Sequence, residues 1–161
     1  MVIVSQHKIL GKGVFSTVNY ETGKLISVTS GETYSPFDGN CNALRIDKET
    51  FWTNRNSNSL EFLNHSCNAN SYFDILRSWG NKDKLFIPLI SLGPIHPSEH
   101  ITIDYDAYSW DMKVTKCSFT CKCGSKFCRK TIAGFRFLNP KQKIQMRYIS
   151  PHVIKEQLRN L

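Results

Sequence analysis

Four cysteines within a twelve-residue stretch, Cys117, Cys121, Cys123 and Cys128, carry the first chemistry visible in this chain. The last three read Cys121-Lys122-Cys123-Gly124-Ser125-Lys126-Phe127-Cys128, a C-x-C followed by a glycine-containing turn and a third cysteine. That spacing wraps sulfurs around one point, and zinc takes about four such ligands in a tetrahedron. Lys122, Lys126, Arg129 and Lys130 offset the negative charge of a zinc–thiolate centre and favour thiolates. The local run supplies three ligands, so a fourth comes from elsewhere, and by count Cys117, Cys67 and Cys41 are all candidates. Six cysteines also suit three disulfides in a secreted protein. Against that, Met1–Lys8 has no basic region followed by a long apolar one, so no signal peptide is expected. The cluster's spacing also favours a metal.

Three further segments hold chemistry-bearing residues. In Gly11-Lys12-Gly13-Val14-Phe15-Ser16, two glycines let backbone amides approach a ligand closely. Asn64-His65-Ser66-Cys67-Asn68-Ala69-Asn70 packs Asn, His and Cys together, and Ile101-Thr102-Ile103-Asp104-Tyr105-Asp106 sets a tyrosine between two acids. Each alone has a plain reading: a hairpin turn, turn-forming asparagines around a core histidine, and a solvated strand rim.

Taken together and in order, these segments resemble the SET-domain family of S-adenosylmethionine-dependent protein lysine methyltransferases. The family's G-x-G-V-F matches Gly11 to Phe15, its N-H-S-C-x-P-N matches Asn64 to Asn70, and its G-E-E-L-T-x-D-Y matches Ser98 to Tyr105. The cysteine run through Arg129 resembles the post-SET zinc knuckle, C-x-C-G-S-x-x-C-R-G. The resemblance implies S-adenosylmethionine and one structural zinc as cofactors. It implies Lys12, Gly13, Asn64 and His65 around the methyl donor and Tyr105 as the catalytic tyrosine beside the transfer channel. The cysteine of N-H-S-C supplies the fourth zinc ligand in post-SET members, which selects Cys67 to join Cys121, Cys123 and Cys128. An aromatic or apolar group after the knuckle covers the adenine, here Phe135 or Ile132. The implied fold is mostly β, with small curved sheets, a threaded, pseudoknot-like segment, a zinc knuckle and a short helical tail. The implied division is a SET domain over residues 1–112, a knuckle over 113–138 and a tail over 139–161.

The sequence departs from the family pattern in places. Ala69 replaces the proline of N-H-S-C-x-P-N, Ser98 and His100 replace residues of G-E-E, and Ile103 stands where Phe or Tyr commonly affects the number of methyls added. Glu61 stands where many members carry Arg, Thr29 replaces the aromatic of Y-x-G-E, and Lys130 replaces the final glycine of C-R-G. These changes fall mainly on the acceptor side, and the block between Phe15 and Asn64 is short. The expected acceptor is a lysine of a protein, a histone among the candidates. Two other readings stand beside it: an enzyme using the same cofactor on a small molecule or free amino acid, and a non-catalytic module that binds nucleic acid or protein.

The elements that must position these residues read as short β pieces. Thr22-Gly23 and Ser30-Gly31 are expected as turns flanking strands such as Lys24–Val28, and Ser35–Asn40 as another turn cluster. Residues 53–59 read as polar loop. Lys84–Leu92 reads as a buried strand interrupted by Pro88 at a bulge or an edge, and His100–Tyr105 as a strand with one buried face. Asn139-Pro140 and Ser150-Pro151 are N-cap and first-turn pairs for two terminal helices. Trp52, Trp79 and Trp110 are expected to pack, with Trp110 and Tyr108 near enough to Tyr105 to line a pocket. His7, His96 and His152 are expected at the surface, and Cys41 and Cys117 as plain thiols.

With 161 residues, 40% hydrophobic, the chain suits one core. No apolar run is long enough to span a bilayer, so no membrane partner is expected, and the location expected is intracellular. The net charge of +8 is uneven. Residues 1–112 hold 9 Lys and Arg against 12 Asp and Glu, while residues 113–161 hold 12 against 1. A basic tail suggests an anionic partner. However, five of its cations border the thiolate cluster, which leaves mainly Arg136, Lys141, Lys143 and Arg147 for a partner.

Overall fold

A computed structural model describes residues 1–53, 59–81 and 83–161, so most of the polar loop expected over 53–59 lies outside the described residues. The chain opens with a hairpin, β1 (Val2–His7) against β2 (Gly11–Ser16), paired from Val2↔Ser16 to His7↔Gly11. Gly11-Lys12-Gly13, expected to break the chain, is itself strand. The turn comes one step earlier, where His7 Nδ1 accepts the amides of Ile9 at 3.2 Å and Leu10 at 3.1 Å. Gly11 closes that turn at φ +77°, a conformation open to glycine at no steric cost.

Three antiparallel strands follow: β3 (Leu25–Tyr34), β4 (Leu44–Arg45) and β5 (Phe51–Thr53). Ser30-Gly31, expected as a turn, runs through the middle of β3. Glycine is needed there for close approach, because a Cβ on Gly31 would stand 2.2 Å from Thr53 O and 2.5 Å from the Trp52 ring. Next come β6 (Asn64–His65), β7 (Ser71–Phe73), β8 (Trp79–Gly80) and β9 (Leu85–Ser91). β9 lies between β3 and β7, so Pro88 sits at neither an edge nor the bulge, which falls at Leu25–Ser27 of β3. Pro88 falls in the gap between the last β7 pair, Phe73↔Leu89, and the first β8 pair, Trp79↔Phe86, where no amide is required of it.

β10 (His100–Ile103) makes the decisive pairing. It runs antiparallel to β2 through Ile101↔Val14 and parallel to β6 through Thr102↔Asn64 and Ile103↔His65. Three segments distant in sequence therefore share one sheet, ordered β1-β2-β10-β6. Both faces of β10 are covered, since Ile101, Thr102 and Ile103 are all buried. A two-stranded ribbon, β11 (Phe119–Thr120) with β12 (Thr131–Ile132), frames the cysteine run.

The two expected helices form. α1 (Pro140–Gln145) starts at a capping box in which Asn139 and Gln142 exchange bonds of 2.9 Å, and α2 (Pro151–Arg159) starts at Ser150. No helix among the described residues is long and apolar enough to cross a membrane. The fold is thus mostly β. Its main core includes Val14, Trp52, Ile87, Leu89 and Ile101, and each such side chain contributes about 1.5–3 kcal/mol on burial. Met112, Cys121 and Ile132 form a second cluster, and Phe135, Leu138 and Val153 a third. Two further expectations fail. Trp79 does not fill the core but lies 51% exposed on short β8, stacked on Phe86. His152 is not a surface group but 4% exposed, because α2 buries that face together with Val153.

Candidate active site and metal centre

The shared sheet brings His65 beside Tyr105. The Tyr105 amide donates to His65 Nδ1 at 3.1 Å, which places the imidazole proton on Nε2, 3.2 Å from Cys67 Sγ. Burial, reinforced by the Arg129 charge, pushes His65 down to about 3, so the ring is neutral. The Tyr105 hydroxyl donates to Leu63 O at 2.7 Å, and burial pushes it up to about 12, so it keeps its proton at neutral pH. The two rings meet edge-on at 5.4 Å.

The G-x-G strand forms the neighbouring wall. Asn64 Nδ2 donates to Lys12 O at 2.9 Å, tying β6 to β2 across β10. A Cβ on Gly13 would stand 2.6 Å from His100 Nε2 and 3.0 Å from Asn64 Nδ2, so only glycine lets these two side chains approach the strand so closely. His100 is held in a stack, 4.8 Å from both His7 and Phe15. This cradle sets the backbone of Lys12 and Gly13 beside Asn64, His65 and Tyr105, polar groups that suit a polar cofactor, and His65 also lines a surface cleft with His7, Leu10, His100 and Cys123.

Tyr105 also lines a narrow cavity. Phe37, Phe51, Trp52, Ile103 and Tyr108 give it aromatic and apolar walls, and Glu61 and Arg45 add charge. Tyr108 lines it as expected, whereas Trp110 packs on Phe135 instead. Cys41 and Cys117, expected as plain thiols, both border this cavity and are joined in a disulfide. The pairing is invisible at a separation of 76 residues.

Cys67, Cys121, Cys123 and Cys128 converge, with their sulfurs within 4.8 Å of one another. Cys67 and Cys121 are 3.8 Å apart. A zinc tetrahedron with bonds of about 2.3 Å has edges of about 3.8 Å, far longer than a disulfide bond. The donor set therefore fits one zinc. The Arg129 amide points at Cys67 Sγ from 3.3 Å, the kind of outer-shell bond that orients a thiolate ligand.

Of the residues expected at the site, Lys12, Gly13, Asn64, His65 and Tyr105 come together, and the four cysteines form a second centre beside them. Ile132 belongs to the cluster against which Tyr105 and Cys67 pack. Phe135 does not join them, since it lies in the third cluster, with Leu138 and Val153. An aromatic overlooked in the sequence stands there instead. Phe119, 37% exposed on β11, meets His65 at 5.9 Å and Tyr105 at 6.0 Å. Its only sequence signal is its place two residues before Cys121. Three of the four cations expected to face a partner are engaged within the chain. Arg136 pairs with Asp111 at 2.9 Å, Lys143 donates to Gln157 at 2.9 Å, and Arg147 donates to Leu92 O.

The chain is similar to known proteins over this same region. The family model described as SET domain matches residues 11–106, more than half of the chain. "Histone-lysine N-methyltransferase trithorax" of Drosophila virilis is 29% identical over 140 residues, covering 79% of this chain and 3% of that protein. "Histone-lysine N-methyltransferase 2B" of Homo sapiens is 27% identical over 149 residues, 84% of this chain and 5% of that protein. "Histone-lysine N-methyltransferase SETD1" of Drosophila melanogaster is 35% identical over 95 residues, 58% of this chain and 5% of that protein. The chain thus spans a small fraction of the length of these relatives.

Proposed function

This chain belongs to the SET domain family, and from that premise we propose that it transfers a methyl group from S-adenosylmethionine to a lysine side chain of a protein, a histone being the first candidate. The observation that carries this reading is the meeting of β2, β6 and β10 in one sheet. It ties Asn64 to the Lys12-Gly13 backbone and His65 to Tyr105, and Tyr105 also lines an apolar cavity. When bound, S-adenosylmethionine supplies an electrophilic methyl on a sulfonium. The backbone of Lys12 and Gly13, with Asn64 and His65, would hold it in the cradle. Phe119 takes the covering role in this reading, because its ring packs edge-on against His65 and Tyr105, whereas that of Phe135 packs on Trp110. Residues 1–112, 113–138 and 139–161 keep the parts of catalytic body, metal knuckle and supporting tail.

The chain's own contribution is positioning. The acceptor amine would reach Tyr105 through the apolar cavity, whose desolvation favours the uncharged, nucleophilic amine. Tyr105 stays protonated and gives its hydrogen to Leu63 O, so its oxygen lone pairs are free to orient the amine and the methyl. Holding the reacting groups in line and excluding water removes most of the barrier that side chains can affect here. Zinc on the four cysteines would hold the knuckle against Cys67 and thus over the site. A histone acceptor would put this work in the nucleus.

The test incubates the zinc-loaded chain with methyl-labelled S-adenosylmethionine and core histones, then separates protein from small molecules. Label on histone lysine, lowered at least about 100-fold in Tyr105→Phe, is the expected result. Label confined to the small-molecule fraction, or full activity in Tyr105→Phe, would overturn the reading.

A further inference from the structure

Tyr105 sits between two acids, and both are held by one side chain from the knuckle. Arg129 follows Cys128 directly, and its guanidinium, 5% exposed, turns back into the body. It grips Asp104 with two prongs, Nη1 lying 2.9 Å from Oδ2 and Nη2 bonding Oδ1. Nη2 also lies 2.9 Å from Asp106 Oδ2, close enough for an ion pair though off the angle for a hydrogen bond. Asp106 is fully buried, and its other oxygen accepts the Gly134 amide at 2.8 Å. Asp104 in turn caps the turn that starts at Tyr105, accepting the Asp106 amide at 3.2 Å. Both residues flanking Tyr105 are thus fastened to Arg129, while the amide of Tyr105 itself is fastened to His65.

Both fasteners also reach the metal centre. The Arg129 amide points at Cys67 Sγ from 3.3 Å, and His65 Nε2 faces the same sulfur from 3.2 Å. Without the guanidinium, two buried carboxylates two residues apart would lack a counter-charge, and the turn between them could not persist in this form. Lysine would restore the charge but not the fork that spans two carboxylates.

We propose that Arg129 is a positioning residue that couples the metal centre to the catalytic tyrosine: its backbone orients Cys67 while its side chain fixes Asp104 and Asp106 on either side of Tyr105. This rests on the transfer reading above only for the role of Tyr105. By reciprocity, a change at the guanidinium is felt in metal retention, and a change at the metal is felt at Tyr105.

The experiment uses the full, zinc-loaded chain with ¹⁵N-labelled tyrosine, which gives six tyrosine amide signals. The Tyr105 signal is the one missing from Tyr105→Phe. Three readouts are compared in the parent chain and Arg129→Lys: that signal, the rate of zinc release to a chromophoric chelator, and methyl transfer. The expected result is a displaced Tyr105 signal, with zinc release faster and kcat lower by about tenfold each and KM for the acceptor unchanged. Asp106→Asn keeps the overall shape and should move the same readouts, so the proposal stays testable if Arg129→Lys folds poorly. A Tyr105 signal at its parent position in both variants, or parent-like kcat with only the melting temperature lowered, would overturn the proposal. If the parent chain transfers no methyl, the proposed function fails, yet the amide signal and the zinc release still decide the coupling.

Discussion

Asn70 offers the sharpest test of how the active-site sheet is held together. Its side chain lies where the Asn64–Asn70 segment turns back along β10, and both of its polar atoms are in use. Nδ2 donates to His100 O at 2.9 Å and to Glu99 Oε1 at 3.2 Å, while Oδ1 accepts the buried Thr102 amide at 2.9 Å. Asn70→Ala deletes these three hydrogen bonds, together with a long fourth from Thr102 Oγ1 at 3.5 Å, and strands one buried amide and one carbonyl. At about 1 kcal/mol net per bond, the loss is about 3 kcal/mol. Asn70→Asp keeps the acceptor for Thr102 but turns an oxygen toward the His100 carbonyl and the Glu99 carboxylate, so it should lose at least as much as alanine. Urea unfolding at pH 7.5 with excess zinc, followed by far-ultraviolet circular dichroism, measures both variants. The midpoint should fall with the slope unchanged. An alanine variant within about 0.5 kcal/mol of the parent, the range of ordinary surface substitutions, would refute the reasoning.

Other consequences are as direct. Gly13→Ala places a Cβ 2.6 Å from His100 Nε2, and the His7–His100–Phe15 stack blocks the ring's retreat; overpacking should lower stability by about 1–3 kcal/mol and weaken cofactor binding, read by calorimetry. Burial, then the neighbouring His7, pushes His100 down to about 4 from 6.5. Because its folded pKa is the lower one, its contribution to stability is complete above about 6.5 and drains away as pH falls toward 4. The stability gap between the parent and His100→Asn should therefore narrow on acidification, and a gap independent of pH would contradict this. Cys41→Ser opens a loop of 76 residues and should lower the unfolding free energy by up to about 4 kcal/mol; a double Cys41→Ser/Cys117→Ser variant that unfolds at the parent's urea midpoint would contradict it.

The parts of the site that could be read in the sequence are those whose spacing is local. The cysteine run, the Asn64–Cys67 segment and Tyr105 each carry their chemistry in a few adjacent residues, and capping at Asn139 and Ser150 marked both helix starts. The rest of the site depends on long-range placement. Phe119 has no motif of its own and matters only because β11 lays it across His65 and Tyr105. In sequence Arg129 is one of several cations beside thiolates, whereas the fold buries it against Asp104 and Asp106. Gly31 resembled a turn because glycine permits both a bend and a close contact, and only the approach of Trp52 shows which it serves. The burial of Trp79 and His152 is not legible in the sequence, because residue type predicts average burial, while β8 and α2 decide the face.

The bridge from Cys41 to Cys117 closes the chain between them into a ring that contains Cys67 and Tyr105 but neither Gly13 nor Cys121, Cys123 and Cys128. A metal on the four free cysteines would clasp that ring to the segment beyond it a second time. The two clasps obey different chemistries: a thiol reductant opens one and a chelator opens the other. Each alone leaves the knuckle tethered beside Tyr105 by the remaining one, so full release of that flap requires both conditions at once.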